Sequence, residues 1–521
     1  MAINIKRTAV SLPINAVSSL MRWLVPSIIS FIVIPLLVHK LGGERYGILT
    51  MASSMVSLVG FVGVGFNDAL IKFLSQALSL DDQDACERLI RSNLFLFVIA
   101  FCTITFLVVG LSPWLVESVI SPTPELYWAT RWVVIISGIT FGLSLVAGTF
   151  AATLAAAERY DLQAAMTIIF AAVSGVGWIV IALFFPSIVL LSLWGLISAI
   201  LNLGLMVFMF RRIFPAISIV PCPFRDALKQ LSGFSAYRIL DAVFALAFYR
   251  FDRVLIGMIA GVENLMYYSI PATVSQMLGH GSNSLTMPLI PNVSALQANK
   301  KWDEIKALYL RAVRLVAWLA LTGVVILVFL ADPFLKIWLG ETFANRASTV
   351  LQWLAAGWGL IALGAVATNI VYGLGRAEVN AALRSVQTLG GLGGIMLFVP
   401  TYGLIGAGWG LVIGNAISTL FLLIYVEWSL HMRLGTTLVS GLLQPIVTGF
   451  MLSIAARALE PFADDIVSTA MILGALVILS AVLAIVLKVL GVRELAVVKR
   501  MLIKILPHKL SGKECTNGDD Q

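Results

Sequence analysis

The chain has 521 residues, 60% of them apolar and only 12% charged, with a mean hydropathy of +0.97. Soluble globular chains are about 45–50% apolar with glycine included and about 25% charged, so a water-soluble enzyme of this length is excluded, as are disordered, collagenous and coiled-coil chains. The net charge of +8 would suggest nucleic acid in a soluble protein, but in a membrane chain its distribution among loops comes first.

Fourteen unbroken apolar segments follow one another: 14–38, 46–70, 92–113, 127–153, 162–185, 188–210, 233–260, 265–291, 315–331, 350–371, 384–400, 402–426, 438–458 and 466–490. A bilayer crossing takes about 20 apolar residues in a helix, whereas a transmembrane barrel would show short alternating strands. The first segment follows Lys6 and Arg7, contains Pro13, Asn15 and Arg22, and reads as a retained helix, not a cleaved leader. Segments 5 and 6 meet at 186–187, a tight hairpin. Phe224–Leu231, Trp302–Val313 and Val492–Ile505 read as helices lying on the inner membrane surface. In the last, Leu495, Val498, Leu502 and Ile505 share one face while Lys499, Arg500 and Lys504 take the other, as in helices that rest on anionic lipid. The tail after Pro507 is polar and reads as disordered. Cys86, Cys102, Cys222 and Cys515 have no metal-like spacing and read as free thiols.

With the N-terminus inside, 25 Lys and Arg residues fall on the inner side and six on the outer: Lys40, Arg45, Arg131, Lys336, Arg346 and Arg457. This bias predicts both termini in the cytoplasm and an even number of crossings. It also accounts for the basic charge without any nucleic acid. Four arginines remain, inside segments 1 and 7: Arg22, Arg238, Arg250 and Arg253.

The two halves resemble each other at an offset of about 215–221 residues. Gly43-Glu44-Arg45-Tyr46 corresponds to Gly261-Val262-Glu263 with Tyr267, Ser75-Gln76-Ala77-Leu78 to Ser294-Ala295-Leu296, and Trp194-Gly195-Leu196-Ile197 to Trp409-Gly410-Leu411-Val412. Their common order predicts a six-plus-six duplication with two helices appended. The expected organisation is an N-lobe at 1–210, a cytoplasmic linker at 211–232, a C-lobe at 233–426, helices 13 and 14 at 427–490, and a basic cytoplasmic tail at 491–521. Both halves start inside, a parallel repeat about an axis along the membrane normal, which is a transporter architecture.

A charge at bilayer depth costs several kcal/mol unless it faces protein or water. At 100° per residue, Arg238, Asp241, Tyr249, Asp252 and Arg253 share one face of segment 7 within about 120°, with Arg250 at its border. Segment 1 carries a stripe of Asn15, Ser18, Ser19 and Arg22. Segment 8 carries Ser269, Thr273, Gln276, His280 and Asn283, and segment 2 carries Ser53 and Ser57, then Asn67 and Asp68. The expectation is that segments 1, 2, 7 and 8 line one cleft, with Asn15, Arg22, Arg238, Tyr249, Arg250, Arg253, Gln276 and Asn283 facing substrate. Surplus positive charge suits an anion, and arginine forks onto phosphate oxygens. The competing reading makes Arg238–Asp241 and Asp252–Arg253 structural ion pairs. Asp68, Asp241, Asp252 and His280 are the titratable candidates for ion coupling. The Gly390–Gly394 run reads as a helix-packing surface. There is no phosphate-binding nucleotide loop, no domain large enough for a glycosyltransferase site and no Cys/His metal cluster. No cofactor, metal or enzymatic activity is therefore expected.

Several stretches carry a resemblance. They are Pro35-Leu36-Leu37-Val38-His39-Lys40-Leu41-Gly42-Gly43-Glu44-Arg45-Tyr46-Gly47, Gly65-Phe66-Asn67-Asp68-Ala69-Leu70-Ile71-Lys72, Asp252-Arg253-Val254-Leu255-Ile256-Gly257 and Pro400-Thr401-Tyr402-Gly403-Leu404-Ile405-Gly406-Ala407. Together they resemble bacterial polysaccharide exporters of the multidrug/oligosaccharidyl-lipid/polysaccharide superfamily. The sequence departs from that pattern at Gly63, where many relatives place an acidic residue. The resemblance implies an all-α protein of about fourteen transmembrane helices in two pseudo-symmetric lobes plus two. It implies a flippase moving an undecaprenyl-pyrophosphate-linked oligosaccharide across the bacterial inner membrane for O-antigen, capsule or exopolysaccharide synthesis. The expected partners are that lipid-linked oligosaccharide, the membrane, and polysaccharide polymerase and export machinery. The alternatives are a lipid II flippase and a multidrug/cation antiporter of the same superfamily.

Overall fold

A computed structural model describes residues 12–463, 465–487 and 489, with side chains described except at 12–24, 61, 62, 64, 160 and 233–242. Every element is helical among the described residues. In chain order they are α1 (Leu12–Leu41), α2 (Gly43–Ser57), α3 (Phe61–Ser79), α4 (Gln83–Trp114), α5 (Tyr127–Ala156), α6 (Tyr160–Phe184) and α7 (Ile188–Ile213). The second half comprises α8 (Arg225–Leu246), α9 (Asp252–Ala260), α10 (Met266–Thr286), α11 (Leu289–Ala298), α12 (Trp302–Phe329), α13 (Ala331–Leu339), α14 (Glu341–Gly373), α15 (Ala377–Tyr402) and α16 (Leu404–Ser429). The last two are α17 (Leu443–Leu459) and α18 (Ile466–Val486).

Each of the fourteen expected segments coincides with a helix or a broken helix. Ten helices among the described residues are long and apolar enough to cross a membrane, and eleven if α2 and α3, bent by 46°, count as one span. Segment 8, with its run of polar side chains, falls outside that set, and segments 1 and 7 run over residues whose side chains are not described. Two expectations are corrected. Segment 2 is broken by a 3₁₀ turn at Leu58–Gly60, and the stretches expected as separate surface helices at 224–231 and 302–313 are the opening turns of α8 and α12. The third, 492–505, lies outside the described residues.

The duplication is written into the packing. In the first half α1 packs on α6, α4 on α5, α3 on α5, and α5 on α7. The second half repeats each pair, with α8 and α9 on α15, α12 on α14, α10 and α11 on α14, and α14 on α16. Individual bonds repeat as well. Ser75 Oγ shares its proton between the Ile71 carbonyl at 2.7 Å and the Ala156 carbonyl at 3.3 Å, and Ser294 Oγ between the Ile290 carbonyl at 3.1 Å and the Gly373 carbonyl at 2.8 Å. Arg159 pairs with Asp161 at 3.0 Å, as Arg376 does with Glu378 at 3.8 Å. Gly42 and Gly261, at the first corner of each half, sit at φ 79° and 86°, where a side chain would be strained. The glycine run behaves as expected: a Cβ on Gly394 would strike the Gly410 backbone, so α15 and α16 approach closely through small residues.

The halves meet through α2 on α9 and α3 on α8. A further contact joins α1 to α13. Pro35 lacks an N–H, which leaves the Phe31 carbonyl without its helical donor. Trp338 Nε1 supplies one at 3.0 Å, and its ring stacks on Phe31 at 4.4 Å. The appended α17 and α18 pack on α12, where Trp318 Nε1 donates to Ser480 Oγ at 2.9 Å.

Candidate functional site

A cavity of about 440 Å³ opens between the halves, in the part of the molecule expected to face outward. Its walls come from α1, α2, α5, α6 and α7 of the first half and from the start of α10 in the second. The second half also contributes two arginines to it, Arg250 and Arg253. No carboxylate is among its described lining residues.

The backbone of segment 7 sets these arginines. Between α8 and α9, Ala247–Phe251 forms a π-turn, which takes more residues per turn than an α-helix and is common at functional sites. A projection at 100° per residue drifts across it. Tyr249 and Arg253, expected side by side on the wheel, therefore diverge. Arg253 is 4% exposed and lines the cavity. Its Nη1 donates to the Tyr249 carbonyl at 3.3 Å and its Nη2 to Thr273 Oγ1 at 3.2 Å, while Nε has no partner. Arg250, on the π-turn, is exposed into the same space.

The expected Asp252–Arg253 ion pair is not formed, and this reading is corrected. Asp252 is 3% exposed; its Oδ1 accepts from the Arg253 backbone N–H at 2.7 Å and its Oδ2 from the Tyr268 hydroxyl at 2.7 Å. The carboxylate is thus engaged by the backbone N–H of the next residue and by a buried tyrosine. No carboxylate among the described residues lies within ion-pair distance of the Arg253 guanidinium. Burying a charge is costly unless hydrogen bonds or a counter-charge compensate, and here the compensation among the described residues is the two hydrogen bonds to Tyr249 and Thr273.

The other predicted residues divide by position. Ser269 and Thr273 of α10 line the cavity, but Gln276, His280 and Asn283 on the following turns are not among its lining residues. His280 stacks on Tyr249 with ring centroids 5.6 Å apart, and Tyr249 stacks on Trp358 at 5.4 Å. Arg384 hydrogen-bonds the Tyr249 hydroxyl. Asn283 accepts from Asn369 at 3.2 Å, and Asp68 is half-buried on α3. The side chains of Asn15, Arg22, Arg238 and Asp241, and the Arg238–Asp241 pair with them, lie outside the described residues. The single four-helix cleft is thus corrected among the described residues: the cavity draws on segments 4, 5 and 6 as well.

Sequence reasoning missed the hydroxyls of segments 4 and 6. Ser137, Thr140 and Ser144 on α5 and Ser192 on α7 all line the cavity. The signal was present, because 137, 140 and 144 recur at helical spacing, but uncharged residues in an apolar helix do not stand out as arginines do.

The family profile for polysaccharide biosynthesis proteins matches residues 36–348. A Shigella flexneri protein provisionally named an O-antigen transporter is 22% identical over 395 residues, covering 75% of this chain and 92% of that one. Among solved structures, the lipid II flippase MurJ in an inward closed conformation superposes with a TM-score of 0.69 at 12% identity, covering 94% of this chain and 99% of that one. A multidrug resistance MATE family transporter in an inward-facing conformation gives 0.67 at 15% identity, covering 79% of this chain and 98% of that one. The fold is theirs, and with its many apolar helices, its duplicated halves and a profile match over more than half its length, the chain belongs to the polysaccharide biosynthesis protein family.

Proposed function

We propose that this transporter moves an undecaprenyl-pyrophosphate-linked oligosaccharide from the cytoplasmic to the periplasmic leaflet of a bacterial inner membrane, for O-antigen, capsule or exopolysaccharide synthesis. The single observation that carries this reading is the buried Arg253 guanidinium, with a vacant Nε donor and no carboxylate partner among the described residues, on the wall of the interlobe cavity. A pyrophosphate is an acceptor-only anion, and arginine meets it with a planar fork of donors. Arg250 adds a second positive charge beside it. The likeness to the protein provisionally named an O-antigen transporter and the family match support a polysaccharide precursor over the peptidoglycan precursor lipid II.

In this reading fourteen helices cross the bilayer with both termini in the cytoplasm. The N-lobe at 1–210 and the C-lobe at 233–426, related by an axis along the membrane normal, rock against each other in alternating access, and helices 13 and 14 at 427–490 ride on the C-lobe. Arg22 and Arg238, the other two arginines within segments 1 and 7, are further candidate substrate contacts on the sequence alone. The product is handed to a polymerase and its export machinery. A multidrug/cation reading fits the cavity poorly, since a cation would meet two arginines and no carboxylate on the described wall.

The test is a deletion strain complemented with wild-type protein or with Arg253→Ala at equal membrane abundance. The expected result is accumulation of the lipid-linked donor and loss of surface glycan with the variant. Normal glycan export by Arg253→Ala would overturn the assignment.

A further inference from the structure

The geometry points to a sugar subsite in the cavity that the arginines line, formed by hydroxyls of α5 and α7 that present acceptor lone pairs to the first residue of the glycan. This inference rests on the pyrophosphate reading above and adds the orientation of the substrate to it.

Each of these hydroxyl protons already has an acceptor within the protein. Thr140 Oγ1 donates to the Ile136 carbonyl at 2.8 Å, Ser144 Oγ to the Thr140 carbonyl at 2.9 Å, and Ser192 Oγ to the Ile188 carbonyl at 2.9 Å. On the same wall, Ser53 Oγ of α2 donates to the Leu49 carbonyl at 2.7 Å. In every case the proton is turned back into the residue's own helix, a local bond that serine and threonine readily make. A hydroxyl has one donor and two acceptor positions. Once the donor is used internally, what remains toward the cavity is acceptor capacity.

Thr273 already completes this arrangement within the protein. It donates to the Ser269 carbonyl at 2.8 Å and accepts from Arg253 Nη2 at 3.2 Å. The same orientation at Thr140, Ser144 and Ser192 leaves oxygens that await donors. The cavity is therefore polarised in the hydrogen-bonding sense: donors at Arg250 and Arg253, acceptors along α5 and α7.

A lipid-linked glycan has the matching polarity. Its pyrophosphate only accepts, whereas the hydroxyl and amide groups of a sugar ring donate. The volume of about 440 Å³ lies at the small end of ligand pockets. It suits the pyrophosphate with the sugar next to it, not a whole repeat unit. The hydroxyl wall would thus set which first sugar is accepted, since a site built to pair with particular donors discriminates strongly against their absence.

The experiment uses the full chain in nanodiscs, titrated with undecaprenyl pyrophosphate and with the same lipid carrying one N-acetylglucosamine, one galactose or one glucose. Wild type is expected to bind at least one of the sugar-bearing probes about tenfold more tightly than the bare lipid. The triple variant Thr140→Val/Ser144→Ala/Ser192→Ala should lose that gain and hold the bare lipid within about twofold of wild type. Arg253→Ala should weaken all four probes. The subsite is overturned if no sugar tightens binding to wild type, if the triple variant keeps the gain, or if it weakens all four probes equally. Should the triple variant lose the gain while Arg253→Ala binds every probe normally, the subsite stands and the pyrophosphate assignment falls.

Discussion

The two halves of this transporter share a frame and differ in what they place at its centre. Pairwise helix packing, the Ser75 and Ser294 bonds, the Arg159 and Arg376 pairs and the strained corners at Gly42 and Gly261 all repeat. The content does not. In the first half α5 offers Ser137, Thr140 and Ser144 to an open cavity. In the second half the corresponding helix, α14, carries Trp358, which closes a stack with Tyr249 and His280. Duplication thus supplied a scaffold twice, and side-chain replacement made one copy a receptive wall and the other the source of the cations. Backbone contacts between small residues and hydroxyls tolerate no large change, whereas cavity-facing positions have no packing partner to constrain them.

The largest expected effect tests the cationic contribution of the second half. Arg253→Ala should lower glycan transport about tenfold to a hundredfold, the weight of hydrogen bonds to a charged group. Arg253→Lys should recover part of it, because the charge remains and the fork is lost. Adding Asp252→Asn to Arg253→Ala should restore nothing, since the carboxylate is engaged by Tyr268 and the backbone and not by the guanidinium. Recovery of transport in that double variant would return both residues to a structural ion pair.

A second comparison concerns how tightly equivalent helix pairs are packed. Gly394→Ala places a methyl against the Gly410 backbone, which cannot move aside, and should cost about 1–3 kcal/mol. The corresponding Gly177→Ala meets the Trp194 side chain, which can shift, and should cost less. Thermal unfolding of the two purified variants decides it, and equal losses would show that α6–α7 and α15–α16 are held alike.

The smallest effect tests the repeat itself. Ser75→Ala and Ser294→Ala each delete one bond to the carbonyl at the end of a neighbouring helix, so each should cost about 1 kcal/mol. The longer bond at Ser75, 3.3 Å against 2.8 Å, predicts the smaller loss there. A large loss at Ser75 with none at Ser294 would separate the halves where the structure joins them. Trp338→Phe should give a comparable small loss, because it keeps the ring on Phe31 and removes only the donor to the carbonyl that Pro35 leaves open.

By itself the sequence determined the class of this protein. Long apolar runs admit only helices in a bilayer, since each backbone polar group must be satisfied within its own segment. Lys and Arg bias gave the expected orientation, and repeated Ser, Trp-Gly and Gly-Glu signals gave the duplication, because corners and close contacts require particular small or polar residues. Arg250 and Arg253 were legible because a charge in an apolar run has no cheap explanation. Tertiary structure alone decided their partners. A π-turn at Ala247–Phe251 rotates everything after it, which no uniform helical projection anticipates, and so Tyr249 turned to Trp358 while Arg253 turned to the cavity. The destination of the Asp252 carboxylate and the hydroxyl wall of α5 and α7 likewise depended on which helices become neighbours. Those contacts join residues far apart in the chain, and periodicity within one segment carries no information about the face across from it.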